Sequence, residues 1–303
     1  MCGRYVLAFD CEHYLGNVQV GADIYNFNVA PTNTVPILVD HMVAPTLFDS
    51  AGGGAFPNTE LYEREIHPAR WGLLPSWAKD ASYSARAFNA RSETLFEKPT
   101  FRNAAVNGHC AVPVTGYYEW KTETTGSGKT QKTPYFIYRE DGAPIYFAGL
   151  YEWWKITEAE AQKPDSIYAH QAGQWVLTCS IMTMDAPNEF AVADIAAAGL
   201  DEKTPFALSQ LHNRLPIPLT FTGTEDDGIT CWLRSGQIAG AENTRSRGAS
   251  TVNAREALAE ILGQAYKQTV SWSLHPVSSA VGNVRNNGSQ LIEPVEDLLS
   301  GLF

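Results

Sequence analysis

The second residue of the chain is a cysteine, within the opening segment MCGRYVLAFD. Cells commonly remove an initiator methionine that precedes a small residue, and loss of Met1 would leave Cys2 with a free α-amine beside its thiol. Both groups are nucleophiles, with ordinary pKa values of about 8 and about 8.5. The alternative is that Cys2 is only a small residue near a frayed chain end. The opening segment alone does not decide between the two.

Four further stretches place polar side chains in apolar or aromatic surroundings. They are WGLLPSW (71–77), FNARSETLFEKPTFR (88–102), GYYEWK (116–121) and LHNRLPIPL (211–219). Each also has a plain structural interpretation. The tryptophans can belong to the core, a carboxylate such as Glu119 can pair with an arginine, and a lone histidine such as His212 is usually a hydrogen-bonded structural residue. The arginines can be solvated surface charges. No single stretch is specific for one chemistry.

A strand-rich middle section must position these side chains. Runs of β-branched and aromatic residues, separated by turn signals, predict strands over 111–121, 133–140, 144–154 and 174–184. Apolar periodicity predicts a helix over 253–268, and further helices are predicted over 189–200 and 92–98. The stretches 41–66 and 155–173 are predicted to be surface insertions. We therefore predict one α+β domain over residues 1–303, with an antiparallel, barrel-like β core flanked by helices.

The composition is that of a folded domain and excludes several classes of protein. The chain has 303 residues, 44% of them hydrophobic. No apolar run reaches the ~18 residues of a membrane helix, so we expect a soluble, cytoplasmic protein, nucleoid-associated in a bacterium. The five cysteines are widely spaced and the histidines show no ligand spacing, so neither a metal nor a cofactor is predicted. Nothing in the sequence demands more than a monomer.

The charge is acidic overall but unevenly distributed. The net charge of −11 argues against a general nucleic-acid binder. Residues 61–121 nevertheless contain 8 basic and 6 acidic residues, a balance of +2, whereas the rest of the chain contains 14 and 27, a balance of −13. A basic face on an acidic body can still bind phosphates locally.

Taken together and in this order, the motifs resemble one family. MCGR at the N-terminus, WGLLPSW, FNARSE, PVTGYYEW and HNRLP resemble the SRAP family, the SOS-response-associated peptidases that protect abasic sites by covalent crosslinking. The resemblance spans residues 2–294. It implies a protein that crosslinks to abasic sites in single-stranded or junction DNA. The linkage would be a thiazolidine at Cys2, formed after Met1 is removed.

The resemblance also implies a catalytic set that includes Cys2. Asn89 would hydrogen-bond near the reacting centre and orient the sugar. Glu119 would move protons during imine formation and water loss, and His212 would assist opening of the sugar ring.

DNA contacts are implied by the same motifs. Arg4, Arg91 and Arg102 would bind phosphates without reading the base sequence. Trp71 would flank a splayed base step, and Thr183 would be a further contact.

Two other functions stay open at this point. A cysteine-type peptidase, as the family's name suggests, would use Cys2 to remove its own N-terminal residue, and the chemistry at an abasic site could be lyase-like. A non-covalent DNA-binding module would use the arginines alone, and its binding would be salt-sensitive with no covalent product.

Overall fold

The computed structural model of the chain describes residues 2–43, 61–124, 128–224, 227–236 and 246–295. Within these ranges the strands are β1 (Tyr5–Phe9), β2 (Tyr14–Leu15), β3 (Val18–Gln19), β4 (Ile24–Val29), β5 (Thr34–Val43), β6 (Leu61–Trp71), β7 (Asn89–Arg91), β8 (His109–Val114), β9 (Gly116–Thr124), β10 (Thr130–Arg139), β11 (Ile145–Lys155), β12 (Trp175–Asp185), β13 (Arg214–Pro216), β14 (Pro218–Leu219) and β15 (Trp272–Pro276). The α-helices are α1 (Ala104–Asn107), α2 (Glu158–Ala161), α3 (Glu189–Ala197), α4 (Lys203–Leu211), α5 (Gly228–Ser235) and α6 (Ser246–Gln268). Short 3₁₀ helices cover Ala81–Arg86, Thr269–Ser271, Ser279–Gly282 and Ser289–Ile292.

Five strands close into a barrel, in the order β12-β6-β5-β8-β11 and back to β12. Four of the five pairings are antiparallel, and β12 with β6 is parallel. An odd number of strands cannot alternate direction all the way round a closed ring, so one parallel pair is unavoidable. The predicted barrel-like core in a single α+β domain is confirmed, with the refinement that the barrel is mixed.

A second sheet carries the N-terminal strand, in the order β15-β10-β9-β1-β4. Side chains alternate across β1. Tyr5 and Leu7 enter the main core that this sheet shares with the barrel, whereas Val6 joins a smaller cluster with Tyr118 and Phe136. The first residues of the chain are thereby held between two cores.

The strand predictions in the middle of the chain are confirmed by β8 through β12. The long C-terminal helix is also confirmed, since its apolar stripe, which includes Leu258, Ile261 and Ala265, is buried. The helix predicted over 92–98 is wrong. The Ser92 N–H donates to the Thr183 carbonyl (2.9 Å), which continues the pairing of β7 with β12 past Arg91, and residues 92–97 form turns instead of a helix.

The predicted insertion at 41–66 is too wide. Its two ends are strand residues, since β5 and β6 pair without a break as far as Val43 opposite Leu61. Residues 44–60 lie outside the described residues. Charged side chains obscured the strand pattern here, because Asp40 and Arg64 are both charged residues and yet are buried against each other.

The predicted insertion at 155–173 connects β11 to β12 and is not wholly on the surface. Ile156 and Ala161 are buried in a small cluster with Leu74 and Trp154. The Glu160 carboxylate accepts hydrogen bonds from Lys163 and Ser166. This segment therefore packs against the chain that follows β6.

In the part of the chain that the structure describes, no helix combines the length and the apolar character needed to cross a membrane.

Candidate active site

The N-terminal residues continue strand β1, which lies between β9 and β4, and Cys2 is completely buried. Tyr5 pairs with Tyr117 on β9, and the Tyr118 N–H donates to the Arg4 carbonyl (3.0 Å). Continuing this antiparallel register carries Cys2 towards the part of β9 that contains Glu119. The Cys2 side chain is 0% exposed and belongs to the main core. The sheet thus fixes the main chain of Cys2 rather than leaving it frayed.

Asn89 binds the main chain of Cys2 directly. Its Nδ2 donates to the Cys2 carbonyl at 2.8 Å. Asn89 is the first residue of β7, which runs parallel to β12 with Asn89 opposite Ile181. The preceding carbonyl, that of Phe88, accepts from the Ile181 N–H (3.0 Å). The amide is therefore aimed at Cys2 by a short strand that is itself hydrogen-bonded to the barrel.

Trp71 supports this arrangement from the core. Its Nε1 donates to the Phe88 carbonyl at 2.9 Å, and its ring lies 4.8 Å from that of Tyr5, centroid to centroid. The side chain is 0% exposed, so it has no surface to offer a DNA base in this structure. The expected base contact is corrected accordingly: Trp71 positions Asn89 and the N-terminal strand from behind.

Glu119 supplies a buried carboxylate beside Cys2. It lies on β9 and is 5% exposed, and its Oε1 accepts a hydrogen bond from the Trp120 N–H (3.2 Å). Burial raises the pKa of the Cys2 thiol well above its ordinary value, and the charge of Glu119 raises it further. The thiol of Cys2 is consequently protonated near neutral pH.

His212 lies immediately after α4, within electrostatic reach of Glu119. The Arg214 N–H donates to His212 Nδ1 (3.0 Å), so a neutral ring carries its proton on Nε2. Burial lowers the pKa of His212, and the nearby carboxylate of Glu119 opposes this shift without cancelling it. The ring is therefore neutral near pH 7, with an N–H available at Nε2.

Arg214 fixes the segment that carries His212. Its guanidinium donates to the carboxylates of Glu93 and Asp185, and to the Thr183 carbonyl at 2.8 Å. Thr183 is completely buried and its hydroxyl accepts from the same guanidinium. In this structure Thr183 faces Arg214 and not solvent, so the expected DNA contact is corrected to a structural contact.

A basic cleft of about 300 Å³ opens beside Asn89. Arg86, Arg91 and Lys98 line it together with aromatic side chains, and among the residues that the structure describes no acidic one contributes to its lining. Arg91 is exposed. The cleft places three cationic side chains next to Asn89, whose amide binds the Cys2 carbonyl.

The other two predicted phosphate contacts lie outside this cleft. Arg102 is exposed on the turn after Lys98, and Arg4 is half-buried with its Nη1 donating to the Gly3 carbonyl (3.0 Å). Burial lowers the pKa of Arg4.

A family model described as SOS response associated peptidase (SRAP) matches residues 1–284. The chain belongs to the SRAP family. The abasic site processing protein YoqW of Bacillus subtilis is 27% identical over 97% of this chain and 99% of its own length. The abasic site processing protein YMR114C of Saccharomyces cerevisiae is 28% identical over 100% of this chain and 70% of its own length. A crystal structure of a Bacteroides thetaiotaomicron protein superposes with a TM-score of 0.50 at 20% identity, covering 89% of this chain and 85% of that one, and shares the fold.

In this SRAP chain the fold brings the predicted catalytic candidates together. Asn89 contacts Cys2, and the charge of Glu119 acts on both Cys2 and His212. Four separate segments supply these groups: the N-terminal strand, β7, β9 and the loop after α4. A carboxylate, a neutral imidazole and an amide around one N-terminal residue can move protons and hold a substrate in place.

Three residues of this SRAP site were given no role of their own from the sequence. Arg86 and Lys98 are part of the basic segment 61–121, but charge counting alone does not separate them from Arg64, which is paired with Asp40. Arg214 was expected only as part of the HNRLP motif. Its two carboxylate partners come from distant segments, so no local signal reveals that it positions His212.

Proposed function

We propose that this SRAP protein processes abasic sites in DNA by forming a covalent crosslink through Cys2, after removal of Met1. The observation that carries the proposal is the hydrogen bond from Asn89 to the Cys2 carbonyl, beside a carboxylate, Glu119, whose charge acts on both Cys2 and His212. A chain terminus held in this way presents one α-amine in a fixed position. That the curated relatives are named abasic site processing proteins supports the choice of substrate.

The chemistry begins with the amine because the thiol is buried and protonated. The ring-opened abasic sugar has an aldehyde, and the α-amine adds to its carbonyl carbon, after which water leaves and an imine remains. The thiol sulfur then bonds to the imine carbon, and the thiol proton ends on the nitrogen. The product is a thiazolidine, and the net loss is one water. A plain imine hydrolyses far more readily than this ring.

Glu119 and His212 have separate tasks in this scheme. The carboxylate of Glu119 accepts the proton of the adding amine and returns it to the departing hydroxyl, which requires the charged form at the start. The Nε2–H of a neutral His212 donates a hydrogen bond to the ring oxygen of the sugar as the C1–O bond breaks. The proton of the anomeric hydroxyl passes through solvent to that oxygen, which becomes a hydroxyl. Asn89 keeps the Cys2 carbonyl, and with it the α-amine, in one orientation.

The basic cleft supports single-stranded DNA as the partner. Arg86, Arg91 and Lys98 can bind phosphates on either side of the lesion, and the aromatic walls of the cleft can stack on unpaired bases. We keep Arg4 and Arg102 as additional phosphate contacts. The acidic remainder of the chain would repel a long duplex.

A cysteine peptidase is less well supported by this site. Such an enzyme needs a thiolate, which is favoured by a lowered pKa beside a cation or a helix N-terminus. Burial and the charge of Glu119 shift the pKa of Cys2 in the opposite direction. A non-covalent DNA-binding module would use only the basic side chains, so it would not account for the burial of Cys2 or for the hydrogen bond from Asn89 to its carbonyl.

The decisive experiment is intact mass analysis of the protein before and after incubation with a single-stranded oligonucleotide containing one abasic site. We expect loss of Met1, followed by a gain equal to the oligonucleotide minus one water that survives denaturation. An otherwise identical oligonucleotide without the lesion should give no adduct.

Two variants distinguish the steps. Cys2→Ser retains the α-amine, so it should give an adduct only when borohydride traps the imine. Cys11→Ser removes an exposed thiol nearby in sequence and should behave like the unaltered protein. A denaturation-stable adduct of undiminished yield with Cys2→Ala would overturn the proposal.

A further inference from the structure

Two histidines and a glutamate meet on the hairpin of β5 and β6, away from the residues of the proposed reaction. His41 is on β5, and Glu65 and His67 are two residues apart on β6. The register places Glu65 opposite Val39 and Glu63 opposite His41. His41 and Glu65 are therefore diagonal neighbours, and alternation puts Glu65 and His67 on one face.

The three candidate ligand atoms form a compact triangle. His41 Nε2 lies 3.1 Å from Glu65 Oε2, His67 Nε2 lies 2.7 Å from the same oxygen, and the two Nε2 atoms are 3.3 Å apart. A tetrahedral zinc ion with bonds of about 2.0–2.1 Å separates its ligand atoms by about 3.3 Å. The two His–Glu separations would have to widen by about 0.2 and about 0.6 Å to seat the ion, and the His–His separation already matches.

The surroundings favour a cation. The side chains of His41, Glu65 and His67 are 45%, 42% and 30% exposed, so an ion and a water can reach them. Arg64, the adjacent residue in sequence, points to the other face and binds Asp40 (Nε to Oδ1, 2.7 Å). Glu63, opposite His41, adds negative charge on the cluster's own face.

We propose that His41, Glu65 and His67 bind a zinc ion, with water as the fourth ligand. Two imidazole nitrogens and one carboxylate oxygen are a ligand set that zinc accepts in tetrahedral geometry. The sequence predicted no metal, because its residue spacing shows no ligand motif here. Glu65 and His67 form only a Glu-x-His pair, and His41 lies 24 residues before Glu65. Strand register assembles this site. The bound ion would tie β5 to β6 at the end of their hairpin.

The test is calorimetric titration of the untagged, metal-free protein with Zn²⁺ alone, in a Cys2→Ala, Cys11→Ser background. This background removes the N-terminal thiol and the exposed one, which could otherwise bind zinc. We expect one saturable site, weakened at least about tenfold by His41→Gln and by His67→Gln, because each removes one of three ligands. Co²⁺ in place of Zn²⁺ should show the visible bands of a tetrahedral ion without thiolate charge-transfer bands.

His13→Gln is the matched control, since His13 is a partly exposed histidine outside the cluster, and it should bind zinc like the background protein. Circular dichroism in the presence of EDTA checks that each variant is folded. Zinc binding that is equally tight in folded His41→Gln and His67→Gln proteins would overturn the proposal, as would no saturable binding in the background protein. Neither result bears on crosslinking, because no DNA is present.

Discussion

One face of strand β6 has opposite surroundings at its two ends. Glu65 and His67 reach solvent, whereas Ala69 and Trp71, which follow on the same face at two-residue intervals, are buried. The Trp71 indole N–H donates to the Phe88 carbonyl, and Phe88 directly precedes β7, whose first residue binds the main chain of Cys2. The alternation of side chains along a strand decides which face a residue occupies. Whether other elements pack against that face decides whether the residue is buried or can bind a ligand from solvent. We expect substitutions at the buried end to alter folding and crosslinking together, and those at the exposed end to alter metal binding alone.

The largest effect should come from Trp71→Ala. Replacing a fully buried tryptophan by alanine leaves a cavity and typically costs about 3–5 kcal/mol of unfolding free energy. The Phe88 carbonyl would also lose one of its two donors. Denaturant unfolding measures the free energy, and the crosslinking rate should fall in the same variant even under conditions where it remains folded.

Trp71→Phe helps to separate the contribution of the buried ring from that of the hydrogen bond to the Phe88 carbonyl. It keeps an aromatic ring against Tyr5 but loses the indole N–H and part of the bicyclic ring volume, and Phe88 retains the bond from Ile181. The expected cost is about 1–2 kcal/mol, with a smaller loss of crosslinking rate. A cost below about 1 kcal/mol for Trp71→Ala would show that this end of β6 does not support the site as described.

Much of the fold could be predicted from the sequence because its signals are local. Aromatic and β-branched runs predict β8 to β12, and the apolar stripe of α6 predicts its buried face. The β5–β6 hairpin was missed since charged residues interrupt its apolar pattern, and one of them on each strand, Asp40 and Arg64, is buried. Helices α4 and α5 were missed too. Helix α5 begins where Asp227 accepts from the Thr230 N–H (2.8 Å), a cap with only a short apolar stretch behind it.

The site was predictable only as a set of residue types. Motif resemblance singled out Asn89, Glu119 and His212, but the partner of the Asn89 amide is a main-chain carbonyl, which no sequence pattern identifies. Burial of Trp71 and Thr183 also depends on which strands surround them. The zinc cluster requires the register of two strands, so it has no signature along the chain.

A smaller effect should appear in the pH dependence of crosslinking. The α-amine must be deprotonated, so the logarithm of the rate should fall with a slope of about one below about pH 8. Burial lowers the pKa of His212, so its neutral form persists below its ordinary value of about 6.5. If crosslinking requires the neutral imidazole of His212, the slope of log rate against pH should increase to about two only below about pH 6.5.

His212→Gln should lose this second break while keeping the first. Single-turnover rates between pH 5 and 8, measured by denaturing gel, give the profile for both proteins. A second break above the ordinary pKa of histidine in the unaltered protein, or the same break in His212→Gln, would assign it to a group other than His212.

The smallest effect should come from the exposed end of β6 in the absence of metal. His41→Gln removes a partly exposed side chain whose bond to Glu65 is solvated, so the unfolding free energy in EDTA should change by less than about 0.5 kcal/mol. The crosslinking rate should stay within about twofold, a change of at most about 0.4 kcal/mol in the barrier. Denaturant unfolding and single-turnover crosslinking, both in EDTA, test this against Trp71→Ala. A loss of crosslinking comparable to that of Trp71→Ala would mean that the hairpin end and the N-terminal site are coupled along β6, because the substitution itself removes no core contact.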